Sequence, residues 1–109
     1  MFKGFVIRIP RLHVEGMALF PFILVKQKGR NPVLLNHERI HLRQQLELGI
    51  LLFYILYLLE YVIRFIRYGN HSKAYFNLSF EREAFENEHN PDYLSERNWF
   101  ASFRFYRRN

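Results

Sequence analysis

The chain has 109 residues, enough for one small domain, and half of them are hydrophobic, so an apolar core is possible. It contains no cysteine, which excludes disulfides and cysteine-ligated zinc and leaves histidine, glutamate and aspartate as candidate metal ligands. The formal net charge of +6 suits an anionic partner, either nucleic acid or a membrane surface, and does not choose between them.

The first 30 residues predict a small β-sheet. Residues 5–9 alternate partly between apolar and polar side chains, and residues 18–25 form an apolar run rich in β-formers. Gly16 and Gly29 are expected at turns, and Pro21 indicates an edge strand or a bulge. An edge strand either pairs with an extended peptide by β-augmentation or only covers the core.

No secretory signal is evident in this region. The apolar residues Phe5, Val6 and Ile7 are followed at once by Arg8, and no small-residue cleavage site follows a proper apolar segment. We therefore expect a cytoplasmic or membrane-associated protein.

The most informative motif is His-Glu-x-x-His, which begins at His37. Two residues four positions apart lie on the same face of a helix, so His37 and His41 can bind a single metal ion. Glu38 lies beside that site, as does the general base of zinc proteases, where zinc activates a water molecule. Pro32 suits the first helical turn, and Asn36 can cap the helix. The alternative is two ordinary helix histidines beside a solvated glutamate.

A long apolar stretch follows the motif. Residues 34–68 predict one helix or two joined helices, and residues 48–59 are apolar on every face before Glu60 interrupts. This run is shorter than the roughly 20 residues that span a bilayer, and Glu47 lies just before it. Three interpretations of residues 48–63 remain open: a buried core helix, a membrane-embedded or interfacial helix, and a homo-oligomer contact.

A second, acidic helix is predicted over residues 80–88. Gly69 is expected to end the preceding helix, Ser79 to act as N-cap, and Pro91 lies beyond the helix end. The tail, residues 92–109, mixes aromatic side chains with arginines and is expected to pack on the domain.

The third metal ligand is expected on the acidic helix. A catalytic zinc usually has three protein ligands and a water, so one more ligand is needed besides the histidines. Glu81 begins a Glu-x-x-Ala pattern, and the small Ala84 one turn later allows close approach to the motif helix. Glu83 is the alternative third ligand. The alternative to both is a solvated carboxylate near a helix N-terminus.

The spacing of these motifs resembles a known family. His-Glu-x-x-His followed some forty residues later by Glu-x-x-Ala resembles the zincin metallopeptidases with a glutamate ligand. Residues 34–95 resemble more closely a group of short bacterial proteins of unassigned activity that share Asn-His-Glu-Arg-Ile-His, an apolar helix and Phe-Glu-Arg-Glu-Ala. The zincin resemblance implies zinc ligands at His37, His41 and Glu81, and a catalytic base at Glu38.

The chain departs from the zincin pattern at one position. Many zincins have an aspartate one residue after the alanine, where this chain has Phe85, so a carboxylate partner for a ligand histidine is missing. Gln44 or Gln45 is the expected substitute. No tyrosine or histidine is marked by the pattern to stabilise an oxyanion, although Tyr75, His71 and His89 are available.

These observations predict an α+β fold with a single zincin-like domain over residues 1–109. A small antiparallel sheet from residues 2–27 packs on the long motif helix and the acidic helix. The predicted function is zinc-dependent hydrolysis of peptide bonds, with a peptide or protein as substrate; the alternative is a non-catalytic metal-binding or membrane-associated protein. Specific nucleic-acid binding is not expected, because the arginines are dispersed and no recognised motif is present.

Overall fold

The computed structural model describes residues 3–27 and 31–106. Its fold is α+β, as predicted. The strands are β1 (Phe5–Arg8), β2 (Gly16–Leu19) and β3 (Phe22–Val25). The helices are α1 (Pro32–Leu48), α2 (Ile50–Tyr68), α3 (His71–Phe76), α4 (Ser79–Asn87), α5 (Tyr93–Glu96) and a 3₁₀ helix (Ala101–Phe105).

The three strands form a mixed sheet in the order β1-β3-β2. Strand β2 runs antiparallel to β3 and β1 runs parallel to it, so Phe22 lies opposite both Leu19 and Phe5. The prediction of an antiparallel sheet is therefore wrong for β1. Since β2 occupies one edge of β3, β1 pairs with the other edge. There β1 runs in the same direction as β3.

The hairpin turn lies within the apolar run of residues 18–25 and divides it between strands β2 and β3. Phe20 and Pro21 connect β2 to β3 through a cis peptide bond. Pro21 thus lies in a turn and not within an edge strand or at a bulge. Gly16 begins β2 and is not a turn residue, while Gly29 lies outside the described residues.

Helix α1 packs on the sheet and fixes its position. Ala18, Ile23 and Val25 of the sheet cluster with Leu35 and Leu42 of α1, all buried. Burial of such aliphatic side chains stabilises a fold by about 1.5–3 kcal/mol each. The sheet therefore rests on the helix that carries the histidine motif.

Hydrogen bonds from α1 and α2 also hold the end of β2 in place. The side-chain amide of Gln45 donates to the Ala18 carbonyl at 2.9 Å and accepts from the Phe20 amide at 2.7 Å. Tyr54 of α2 donates to the same Ala18 carbonyl at 2.9 Å. Gln45 is therefore a partner of the sheet and not of a motif histidine.

Of the two alternatives predicted for residues 34–68, one helix or two joined helices, the structure has two helices. Pro32 is the first residue of α1, and Asn31 caps it by accepting hydrogen bonds from two backbone amides. The prediction that Asn36 is the cap is wrong, since Asn36 lies inside the helix and is buried. Gly49 separates α1 from α2 with φ at +80°, a conformation that L side chains rarely adopt, and the two helix axes differ by 110°.

The rest of the chain covers the motif face of α1. Gly69, with φ at +65°, ends α2 as predicted, and the short helix α3 follows where no helix was expected. The N-cap of α4 is Leu78 and not Ser79, and Leu78 makes no side-chain capping bond. Helix α4 then packs on α1 through Ala84 and Ile40, neither of which is exposed.

Helix α2 is not enclosed by the protein. Its buried residues are Phe53, Glu60 and Arg64, while most of its aliphatic side chains are exposed. The interpretation of this segment as a buried core helix is therefore wrong. Among the described residues, no single helix has the length and hydropathy of a membrane span, although α1 and α2 taken together across their bend do.

Candidate metal centre

Two histidines and one glutamate bring their side chains together between α1 and α4. Nε2 of His37 lies 3.2 Å from Nε2 of His41, and each lies 3.2 Å from Oε1 of Glu81. All three residues are buried. Within residues 3–27 and 31–106 this is the one group of three such side chains with the geometry of a metal site.

Helix α4 brings Glu81 to the histidines because its first turn is held in place from α2. The Glu60 carboxylate accepts from the Ser79 amide at 2.9 Å and from the Ser79 hydroxyl at 2.7 Å, which satisfies donors of the uncapped helix start. One turn beyond Glu81, Ala84 lies against Ile40 with no exposed surface. The small side chain allows the close approach that the sequence predicted.

The outer nitrogen of each histidine is bonded to an acceptor. Nδ1 of His41 donates to Oε1 of Gln44 at 2.8 Å, and Nδ1 of His37 donates to Oε1 of Glu88 at 3.0 Å. With its proton on Nδ1, each ring presents the Nε2 lone pair to the cluster; these tautomers follow from the partners. Three such acceptors 3.2 Å apart repel one another unless a positive charge lies among them, either a second proton on a histidine ring or a metal ion.

The spacing of the three donor atoms fits zinc. Zinc binds nitrogen and oxygen ligands at about 2.0–2.2 Å in a tetrahedral arrangement, which places neighbouring ligand atoms about 3.3–3.6 Å apart. The observed separations of 3.2 Å lie just below that range on all three sides. The cluster therefore needs little adjustment to hold a metal ion.

The partners of the candidate ligands are themselves oriented by the fold. Nε2 of Gln44 donates to the Phe80 carbonyl and to Oε1 of Glu83, so its oxygen must face His41. Tyr57 of α2 donates to the second oxygen, Oε2, of Glu81 at 2.6 Å. Such contacts fix the tautomer and direction of metal ligands. Of the two glutamines proposed for this role, Gln44 fills it.

The missing carboxylate partner is also present, at a position the zincin pattern did not indicate. Glu88, at the C-terminal end of α4, bonds His37 where an aspartate at position 85 was expected. Phe85 instead packs its ring edge-on to His37, with centroids 4.5 Å apart. The Asn36 side chain donates to the carbonyls of Asn87, Glu88 and Asn90 and so fixes this end of the helix.

The cluster behaves electrostatically as a site for positive charge. Burial alone lowers the pKa of His41, but the Glu81 carboxylate outweighs it and raises that pKa to about 9. Burial alone raises the pKa of Glu81, yet the two histidines and Tyr57 hold it far below its usual range. Glu81 is therefore ionised, as a metal ligand must be.

Glu38 is buried beside the cluster without being part of it. It lines two cavities, of about 500 and 230 Å³, whose walls also include Val14 and Gly16, around the start of β2. His37 lines both cavities, and His41 and Glu81 line the smaller one. Burial raises the pKa of the Glu38 carboxyl above its ordinary value. Arg64 bonds Glu60, and Arg82 bonds the Phe105 carbonyl, so both arginines have partners other than Glu38.

The alternative ligand, Glu83, occupies a different polar network. It forms an ion pair with Arg97, which also binds Glu47, and it accepts a hydrogen bond from Tyr93 at 2.6 Å. Its Oε1 reaches the cluster only through Gln44. The structure thus brings Glu81 to the histidines and separates Glu83 from them.

Of the residues considered for an oxyanion, Tyr75 lies near the cluster and His71 does not. Tyr75 lines both cavities together with Glu38, whereas His71 is exposed and bonded to the Tyr61 hydroxyl. Burial and the Glu81 carboxylate raise the pKa of Tyr75, so its hydroxyl keeps its proton at neutral pH.

Comparison with known proteins adds no family assignment. No protein-family model, curated protein or solved structure matches the chain. The function is therefore inferred from the geometry of the cluster.

Proposed function

We propose that this protein is a zinc-dependent hydrolase that cleaves peptide bonds. The observation that carries the proposal is the convergence of His37, His41 and Glu81 at 3.2 Å, with Glu38 alongside in a cavity wall. Two histidines and a glutamate leave the fourth position of a tetrahedral zinc for water or substrate, as catalytic sites require. The closed ligand sets of structural zinc sites lack such a position.

The chemistry divides between the metal and the chain. A zinc ion at this position supplies Lewis acidity, which lowers the pKa of water and polarises a carbonyl group. Glu38 accepts a proton from the attacking water as the carbon–oxygen bond forms, and returns it to the leaving nitrogen as the carbon–nitrogen bond breaks. Its raised pKa, caused by burial, makes it a stronger base than an exposed glutamate.

The cavity walls suit a peptide substrate. One wall is β2, an edge strand whose Gly16 lies close enough to the Glu38 carboxylate that an added Cβ would be 3.2 Å from Oε2. An extended peptide can pair with the outer edge of such a strand. Ala18 already accepts from Gln45 and Tyr54, so the available length of edge begins around Gly16. Tyr75, still protonated, can donate to a substrate carbonyl oxygen.

Glu38→Gln tests the proposal because it keeps the shape of the side chain and removes the base. The zinc-loaded variant should keep wild-type zinc content and thermal stability. Its turnover of a fluorogenic peptide library should fall by about 10²–10⁴-fold. Glu96→Gln, the same chemical change at an exposed residue of α5, is the matched control and should keep full activity.

Three results would contradict the proposal. Wild-type turnover in zinc-loaded Glu38→Gln would show that Glu38 is not the base. Stoichiometric zinc without hydrolysis of any library peptide by the wild type would favour the alternative, a non-catalytic metal-binding protein. Unfolding of Glu38→Gln would assign Glu38 a structural role and remove the main support for an enzyme.

A further inference from the structure

The polarity of helix α2 is inverted relative to that of a helix on the surface of a water-soluble protein. The charged pair Glu60 and Arg64 faces the protein interior, where the guanidinium Nε lies 3.0 Å from the carboxylate and both side chains are buried. The outward face is apolar instead and largely aliphatic. Its exposed residues are Leu51, Leu52, Ile55, Leu58, Leu59, Val62, Ile63, Phe65 and Ile66.

This outward face, hereafter the α2 face, is continuous along the helix. Positions 51, 55, 58, 62 and 66 follow one another at three- and four-residue steps, so their side chains form one stripe. Leu51 is 76% exposed at one end and Ile66 is 78% exposed at the other. Soluble monomers rarely expose a contiguous apolar surface of this kind without a partner.

The exposed charges near the α2 face are basic. The chain has no acidic residue between Glu60 and Glu81, and Glu60 is neutralised inside the protein by Arg64. Arg67, in the last turn of α2, and Lys73, on α3, are both exposed. The Lys73 ammonium group lies 4.8 Å from the Tyr68 ring at the end of the helix. Together with the net charge of +6, this distribution complements an anionic surface.

We propose that the α2 face docks the protein on an anionic lipid bilayer, with the helix axis lying along the membrane surface. A helix with an apolar face and basic residues beside it binds the headgroup and acyl boundary in this orientation. Basic side chains then meet anionic headgroups, and Tyr68 lies at the level that tyrosines favour.

The packing of α2 explains why the contact is lateral. The opposite side of the helix is held along its length, since Phe53 packs on Phe80 and Tyr57 donates to Glu81. Helix α2 is therefore fixed to the domain on one side and can meet lipid on the other. A specific protein interface normally includes aromatic and polar groups at its centre and rim. The α2 face is largely aliphatic, with Phe65 as its aromatic residue and no polar group at its centre, which a fluid hydrocarbon accommodates and a specific partner exploits poorly.

The first test measures sedimentation of the full-length chain with vesicles of phosphatidylcholine and phosphatidylglycerol. The wild type should sediment with these vesicles, and Ile55→Asp with Leu58→Asp should reduce the partition coefficient at least tenfold. Leu46→Asp is the matched control, since Leu46 is 50% exposed on α1 and Ile55 is 52% exposed. It should bind as the wild type does. Arg67→Glu should weaken binding about fivefold or more, in a salt-dependent manner.

A second measurement does not depend on destabilising substitutions. Because the chain has no cysteine, Leu58→Cys and Ile66→Cys each provide a single site for a nitroxide label. On vesicles, both labels should become accessible to oxygen and protected from a water-soluble relaxation agent, to similar shallow depths. A label at Leu46→Cys should stay accessible to the aqueous agent.

Three results would overturn the inference. Folded wild-type protein that remains in the supernatant with anionic vesicles would exclude lipid docking. Labels at positions 58 and 66 that remain in water on vesicles would show that another surface binds. If the wild type forms a dimer in sedimentation equilibrium and fails to bind vesicles, and if Leu58→Asp dissociates that dimer, the partner of the α2 face is a second copy of the chain.

Discussion

The polar network beyond the metal centre predicts a large loss of stability on substitution of Arg97 by methionine. The guanidinium of Arg97 binds Glu83 through Nε and Glu47 through Nη1 at 2.6 Å and Nη2 at 3.0 Å. The side chains of Arg97 and Glu83 are fully buried, and that of Glu47 is 1% exposed. Arg97→Met removes the cation and leaves two buried carboxylates without their partner.

The size of the effect follows from that burial. Removing one partner of a buried ion pair costs about 3–5 kcal/mol, and here one cation neutralises two anions, so we expect the upper part of that range. A domain of this length has a total stability of about 5–16 kcal/mol. Since 1 kcal/mol shifts the melting temperature of a domain near 100 residues by about 4–8 °C, a loss of about 4 kcal/mol or more should lower Tm by at least about 16 °C.

Urea and thermal unfolding, followed by circular dichroism at neutral pH, measure this loss. Arg104→Met is the matched control, because Arg104 is exposed on the 3₁₀ helix and its substitution should change stability by no more than about 0.5 kcal/mol. Adding Glu47→Gln and Glu83→Gln to Arg97→Met should restore part of the loss by neutralising the unpaired charges. A cost below about 1 kcal/mol for Arg97→Met, or no recovery in the triple variant, would refute the reasoning.

Two further predictions concern the support of the metal centre and of the sheet. Gln44→Met removes the acceptor of His41 and should weaken zinc binding about 10–100-fold in competition with a chromophoric chelator. Gln45→Met, which breaks only contacts to β2, should lower stability and leave zinc affinity within about twofold; equal effects on zinc affinity would contradict the assignment. Gly4→Ala should cost about 2–4 kcal/mol, since φ is +81° and the added Cβ would lie 2.5 Å from Leu42 Cδ1. Gly69→Ala, with φ at +65° and open space around it, should cost about 1–2 kcal/mol, and a smaller loss in Gly4→Ala would contradict this explanation.

The sequence predicted those parts of the site that follow from local geometry. The i, i+4 spacing fixes His37 and His41 on one helix face wherever that helix lies. Ala84 indicated that the acidic helix approaches closely, and Glu81 is one turn before it. These signals depend on helical periodicity alone. The convergence of His37, His41 and Glu81 could therefore be predicted, while the residues around them could not.

The remaining features of the site depend on tertiary packing that no local pattern encodes. Glu88 reaches His37 because the Asn36 amide fixes the end of α4, and Tyr57 reaches Glu81 because α2 folds back across the site. The break that permits this fold is at Gly49, and a glycine in an otherwise apolar run is its signal in the sequence. That signal left one helix and two joined helices both open for residues 34–68.

The order and direction of the strands also could not be predicted from a local sequence pattern. Alternation identified strands near residues 5–9 and 18–25, but a short strand pairs equally well in either direction. The hairpin leaves one edge of β3 free for β1, and the short link from Arg8 to Gly16 keeps the end of β1 beside the start of β2, since both residues pair with Val25. The topology thus follows from chain connectivity and not from residue preference.

Zinc content after dialysis tests whether His37, His41 and Glu81 hold a metal ion. Untagged full-length protein, loaded with zinc and dialysed against metal-free buffer, should retain one zinc per chain by mass spectrometry. His41→Ala should retain almost none, because it removes one of three converging donors, whereas His89→Ala, at an exposed histidine, should retain one. Wild-type zinc content in His41→Ala, or no retained zinc in the wild type, would contradict the account.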